Sequence, residues 1–286
     1  MTPNNNLSVL PFYLNIDWQN AKKSYAYGDV YPLATPLYTL LPFQIIRPAR
    51  TAGTLRVHLL NEKGQFMQDI TINCYETGLR TERFTALGYD VIVYPGVFQL
   101  QSNLPIGRYC IRFTDEVETW YSDIFTWTND VSGLMRIQWW DIETLHFDAG
   151  AIVYDGIFKN TLYICAQLGK PEYPFEEEGE TRDGYFFPEK QVSYKTYKTI
   201  FLAPEYLCDV MRLIRLSDFV TVDVGGQHYD CDTFLITPKW QTQGNLASVE
   251  IEFTTDTVVK KIGRGYVSSR NGDFNNDFNN DFDIKD

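Results

Sequence analysis

The chain predicts a mainly β fold: an immunoglobulin-like β-sandwich, then a second β-sandwich or barrel module with a single flanking α-helix. Three observations predict it. Short apolar runs recur at regular spacing with turn residues between them, the pattern of packed antiparallel strands. Nineteen Tyr, nineteen Phe and six Trp in 286 residues form an aromatic load that favours strands and sandwich cores. Only residues 204–216 carry a clear helical period, with Leu207, Val210, Met211 and Ile214 at i, i+3, i+4 and i+7. A lone helix among strands argues against alternating βα units, whose active sites lie at strand ends. The length accommodates two modest cores.

Residues 1–34 read as an extended N-terminal arm, because Asn4 to Asn6 show no periodicity and Pro11, Pro32 and Pro36 interrupt the chain beyond them. A simple first strand is the competing expectation. The sandwich is assigned to 35–130, with strands at Pro42–Ile46, Leu55–Leu60, Asp90–Tyr94 and Tyr109–Phe113 and turns at Asn61–Gly64 and Pro105–Gly107. Gly107–Phe113 and Trp120–Trp127 alternate like the last two strands of an immunoglobulin-type sandwich. No disulfide signature accompanies them, so the likeness is architectural.

Asn129–Gly133 reads as a hinge, and the second module spans 131–263. Its first strand ends in Trp139 and Trp140, which face opposite sides, one toward the core and one toward an interface or cover. Residues 171–189 read as a long acidic loop whose aromatics, Tyr173, Phe175, Tyr185, Phe186 and Phe187, pin it to a partner. A strand comes next at 193–202, then the helix. Pro204 suits the first helical position, Glu205 the positive end of the dipole, and Arg212 and Arg215 the negative end. Gly225-Gly226 supplies the turn of a hairpin joining Phe219–Val224 to a strand at Gln227–Ile236. Ala247, Val249, Ile251 and Phe253 alternate with polar residues along a half-exposed strand. Residues 264–286 form a low-complexity tail in which Asp-Phe-Asn-Asn repeats every four residues. Phe274, Phe278 and Phe282 are spaced to occupy pockets on a neighbour.

The net charge of −12, from 25 basic and 37 acidic side chains, repels phosphate and argues against specific nucleic-acid binding. It argues equally against an anionic membrane surface. Five scattered cysteines without a C-x-x-C pair fit buried thiols in a reducing compartment. No Sec-type signal opens the chain, and no apolar run approaches the ~18 residues of a membrane span. His58, His146 and His228 fall in no zinc-binding pattern, and no nucleophile elbow or Walker loop occurs. No catalytic residue, metal ligand or cofactor is therefore assigned. Asp230 with Asp232, and Glu250 with Glu252, lie two apart, about 7 Å on one strand face. That separation suits glycoside hydrolysis in principle, but alternating charge on an exposed strand is its ordinary cause.

The runs Lys159–Tyr163, Gly169–Glu177, Asp183–Gln191, Ala203–Asp209, Thr233–Trp240 and Thr255–Gly263 resemble structural proteins of tailed bacteriophages. They are closest in character to virion components of the crAss-like and related phages of gut anaerobes. The terminal Asp-Phe-Asn-Asn repeat is similar to tails of that group. The resemblance covers about a third of the chain and carries a role rather than a site. It implies a non-enzymatic, ring-forming tail or neck component of the virion, assembled in the host cytoplasm as a cyclic homo-oligomer. Other tail, neck or portal proteins are the implied partners. The competing expectation is a carbohydrate-binding or host-adhesion module on the virion, with Trp120, Trp127, Trp139 or Trp140 stacking on sugar rings.

Overall fold

The computed structural model describes residues 8–14, 33–50, 53–84, 88–96, 100–143, 145–146, 152–153, 158–240 and 246–261. The fold is mainly β. Two compact units emerge, one from 1–171 with 196–255, the other from 172–195 with 256–286. The strands β16 (Tyr185–Pro204) and β20 (Leu246–Lys261) run through both. The division expected at residue 130 is absent. Residues on both sides of it, such as Trp127 and Trp139, belong to one hydrophobic cluster, because the apolar faces of successive sheets continue into each other.

In the first unit the order is β1 (Phe12–Leu14), β2 (Leu33–Pro36), β3 (Phe43–Pro48), β4 (Arg56–Asn61), β5 (Phe66–Asp69), α1 (Thr71–Glu76), β6 (Arg80–Phe84), β7 (Tyr89–Tyr94), β8 (Gly107–Thr114), β9 (Thr119–Ser122) and β10 (Phe125–Thr128). A seven-stranded sheet runs β1-β9-β8-β10-β2, with β4 on the other side of β8 and β5 beyond it. A three-stranded sheet runs β3-β7-β6. Aromatic rings join the two: Phe12 of β1 lies 4.6 Å from Phe43 of β3. Trp127 packs 4.7 Å from Tyr109 and donates its indole N–H to the Thr39 carbonyl at 2.8 Å. The run expected as one strand over 120–127 breaks at Asp123-Ile124 into β9 and β10, both antiparallel to β8.

Within the expected arm, Val9, Leu10 and Phe12 are buried in the core and β1 pairs with β9. That part is a first strand rather than an arm, since its apolar residues find a core. The six-residue helix α1 was not expected: buried Cys74 is its one core residue, too little for a stripe.

The chain continues through β11 (Leu134–Trp140), β12 (Leu145–His146), β13 (Ile152–Val153) and β14 (Asn160–Cys165) to β15 (Phe175–Arg182) and β16. Then come α2 (Glu205–Met211), β17 (Phe219–Val224), β18 (Gln227–Asp230), β19 (Thr233–Trp240) and β20. One four-stranded sheet runs β14-β11-β17-β18, another β15-β16-β20-β19. The Gly225-Gly226 turn forms as expected, with both residues at positive φ. The strand expected over 227–236 instead breaks at Cys231-Asp232, where the chain passes from one sheet to the other.

The helical stripe is where the sequence puts it: Leu207, Val210, Met211 and Ile214 are all buried. The α-helix is shorter than 204–216. Pro204 is extended (ψ 164°) and precedes the first helical residue, and a 3₁₀ turn at Ile214–Leu216 comes after the last. Short 3₁₀ turns commonly close α-helices. Among the described residues no helix is long and apolar enough to cross a membrane.

The expected acidic loop at 171–189 is a β-hairpin. β15 and β16 pair from Phe175↔Ser193 to Arg182↔Tyr185. The turn residues Asp183 and Gly184 both sit at positive φ, 50° and 84°. An Asp-Gly pair is the preferred type I′ turn and matches the twist of the flanking strands. Residues 262–286, with Phe274, Phe278 and Phe282, lie outside the described residues.

Candidate assembly surface

The second unit gathers most of the aromatic residues that the sequence singles out. Its described part is β15, the first half of β16 and the end of β20. All eight residues of β15 are exposed, Phe175 among them. Tyr185, Phe186 and Phe187 stand exposed beside the turn, Tyr185 at 72%. None of residues 172–195 or 256–261 belongs to a hydrophobic cluster.

Alternation along β15 puts Glu176, Glu178, Glu180 and Arg182 on one face and Phe175, Glu177, Gly179 and Thr181 on the other. Polar bonds across the hairpin hold its register. The Tyr194 hydroxyl donates to Glu176 at 2.6 Å, Gln191 to Glu177 at 2.7 Å, and Lys190 to Glu178 at 3.2 Å. Arg182 pairs with Glu180. A bulge at Glu178/Gly179 shifts the pairing from Lys190 to Pro188. A Cβ on Gly179 would overlap the Phe187 carbonyl and the Pro188 Cα, so only glycine fits this crossing. Gly179→Val should therefore open the hairpin, with β15 amides losing exchange protection by about tenfold or more. Hydrogen exchange read by mass spectrometry checks this, and unchanged protection would contradict the bulge geometry.

The four tryptophans weighed for sugar stacking divide sharply. Trp120, Trp127 and Trp139 are in the core, Trp139 at 0% exposure. Trp139 is thus the core-facing member of the adjacent pair, not an interface residue. Trp140 faces the other way and is half-buried. Its ring stacks on Phe219 at 5.4 Å, and the Lys159 ammonium lies 3.9 Å from its centroid.

On that same face of the β14-β11-β17-β18 sheet, register aligns Tyr163, Arg136, Asp223 and His228 in one row. Arg136 forks onto Asp223 through Nε at 3.1 Å and a terminal nitrogen at 2.9 Å. His228 reaches Asp223 at 2.8 Å and Asp230 at 3.4 Å. The hydrogen bond to Asp223 raises the pKa of His228 above its ordinary value, and both carboxylates add to the effect. The other acidic pairs are also engaged. Glu250 binds Lys239 at 2.6 Å, and Glu252 lies 3.5 Å from Lys198. These are cross-strand ion pairs on exposed strands, the arrangement that alternating charge produces.

A cavity of about 300 Å³ lies between the 3₁₀ turn and β19, lined by Ile214, Asp218, Val220, Cys231, Asp232 and Phe234. Burial pushes the Cys231 thiol up to about 12, with Asp230 and Asp232 adding to the shift. It is therefore protonated at neutral pH and a poor nucleophile. Among the described residues no three His, Cys, Asp or Glu side chains converge as metal ligands.

Sequence patterning missed the hairpin's form but found its aromatics. The available signal was the Asp183-Gly184 pair. No protein-family model matches this chain, and no curated protein shows significant similarity to it.

Proposed function

We propose that the chain is a non-enzymatic structural protein of a phage virion, forming a ring in the tail or neck through contacts between copies and with other tail, neck or portal proteins. One observation carries this reading: the described part of the second unit is a hairpin and strand end with exposed aromatics, and none of its described residues belongs to a hydrophobic cluster. Isolated hairpins are marginal in water, and small sheets need a covered apolar face. Exposed aromatic groups on such a sheet favour a surface that a partner covers. The resemblance to tailed-phage virion proteins, carried by runs that include this hairpin, supplies the class of partner.

Ring assembly repeats one heterologous pair of patches around an axis until the rotation closes. Each contact needs roughly 1,000 Å² or more to persist. Light scattering after size exclusion, together with negative-stain microscopy of the purified chain, tests the proposal. Closed rings of one order are expected. A monodisperse monomer at high concentration would overturn it.

A further inference from the structure

We infer that Arg56 and Arg112 form an oxyanion-binding site on the seven-stranded sheet, suited to a carboxylate or a phosphate-type group. The site goes beyond ring assembly and does not depend on it. Val57 and Leu59 of β4, and Ile111 and Phe113 of β8, are fully buried in the main core. Their alternating neighbours Arg56, His58 and Arg112 therefore lie together on the opposite face of the sheet. Register sets His58 opposite Arg112 and Arg56 opposite Thr114. Arg56 and Arg112 are thus diagonal neighbours on adjacent strands, a separation of about 7–8 Å that long side chains bridge. Guanidinium forks match the oxygen pairs of carboxylates and phosphates.

The bond that orients Arg112 leaves its charge in place. A terminal nitrogen donates to Nδ1 of His58 at 2.7 Å. Arginine has no acceptor, so Nδ1 is bare and the ring proton sits on Nε2, 3.6 Å from Asp69. The exposed Phe66 ring meets the imidazole edge-on at 5.4 Å. A neutral ring thus fixes the guanidinium where a carboxylate would neutralise it. Among the described residues neither arginine forms an ion pair. Asp69 of β5 stands opposite His58 and accepts the Thr71 amide at 2.9 Å. Two guanidiniums against this one carboxylate leave a positive spot on a chain of net charge −12. Salt screens the more distant charges beyond about 10 Å at 0.1 M, so the local pair decides what binds. His58 registers that field. Burial lowers its pKa, Arg112 and Arg56 lower it further, and Asp69 opposes them. An anion held between the guanidiniums would offset their repulsion and raise the pKa. Reciprocally, protonating His58 would tighten the anion.

Proton NMR of the histidine rings in the full chain tests the site. Chloride is exchanged at constant ionic strength for sulfate, the tetrahedral probe, or formate, the carboxylate probe. His58→Gln identifies the His58 signal among the three histidines. In the unaltered chain the midpoint of the His58 titration should move up by at least about 0.5 with one probe or both. The probe with the larger effect tells an acidic side chain from a phosphate group as the natural ligand. R56Q/R112Q, checked for folding by near-UV circular dichroism, should start from a higher midpoint and respond to neither probe. If the double variant fails to fold, R56Q alone, at an exposed position, should show a reduced response. A His58 midpoint indifferent to both anions, or one that moves equally in the arginine variants, would overturn the site and leave the ring proposal standing.

Discussion

Asp115→Ala is expected to destabilise the first unit by about 3–5 kcal/mol, the usual cost of removing one partner from a buried ion pair. Arg47 on β3 is fully buried, and its guanidinium bonds Asp115, in the turn after β8, with Asp90 on β7 3.9 Å away. Arg50 joins the same carboxylate through Nε at 3.1 Å and reaches Glu118 at 2.7 Å. The other Asp115 oxygen accepts the Val117 and Glu118 amides at 3.1 and 2.9 Å. The cluster ties the three-stranded sheet to the seven-stranded one. Truncating Asp115 leaves the Arg47 charge buried beside one distant carboxylate. Arg47→Met in the same chain should recover part of the loss, since the stranded charge is then gone.

Burial alone would raise the Asp115 pKa. The Glu118 amide and the Arg50 side chain outweigh it and hold the carboxyl below its ordinary value. A depressed folded pKa gives stability that is present above the unfolded value and lost as pH falls through the folded one. The contribution is thus full at pH 7 and fades below about pH 4. Urea unfolding of both variants at pH 7 and pH 3.5 measures it. A loss under about 0.5 kcal/mol for Asp115→Ala at pH 7 would sink the account.

Asp123→Asn should produce the opposite pH signature. Asp123 sits between β9 and β10 where the first strand docks, its amide donating to the Pro11 carbonyl at 2.9 Å. Burial pushes its carboxyl up to about 7, and the Ile124 amide offsets this only in part. The acid stays protonated in the fold up to about pH 7, while the unfolded chain ionises it near 4. Unfolding between those values releases a proton, so stability declines as pH rises from about 4 to 7 and stays low above. A rise from about 4 to about 7 corresponds to about 4 kcal/mol. Asparagine resembles the protonated acid and cannot ionise. The variant should therefore match the parent at pH 4 and exceed it at pH 8. Parallel stability curves across that range would show that Asp123 does not titrate in this way.

The hairpin at 172–195 shows why part of the candidate surface was hidden. Strand detection relies on apolar residues alternating with polar ones, which presupposes one buried face. β15 has no buried face, so Phe-Glu-Glu-Glu-Gly-Glu-Thr-Arg carries no period and reads as a loop. Its turn was legible in Asp183-Gly184, yet the surrounding acidic residues masked it. The aromatics Phe175, Tyr185, Phe186 and Phe187, expected to meet a partner, are exposed. Trp139 and Trp140 were seen to face opposite ways, but only packing shows that Trp139 enters the core.

By itself the sequence determined the strand content, the Gly225-Gly226 hairpin and the buried stripe of α2. Each arises from local periodicity or local backbone preference, which neighbouring residues settle among themselves. Only the tertiary structure decided that 130 is no boundary, that the pKa values of Asp115 and Asp123 shift in opposite directions, and that the acidic stretch at 175–182 is an exposed strand of a hairpin. Those outcomes depend on which distant segments meet, as Arg47 meets Asp115 across 68 positions. Burial and partners are properties of that meeting, and no local stretch of chain contains them.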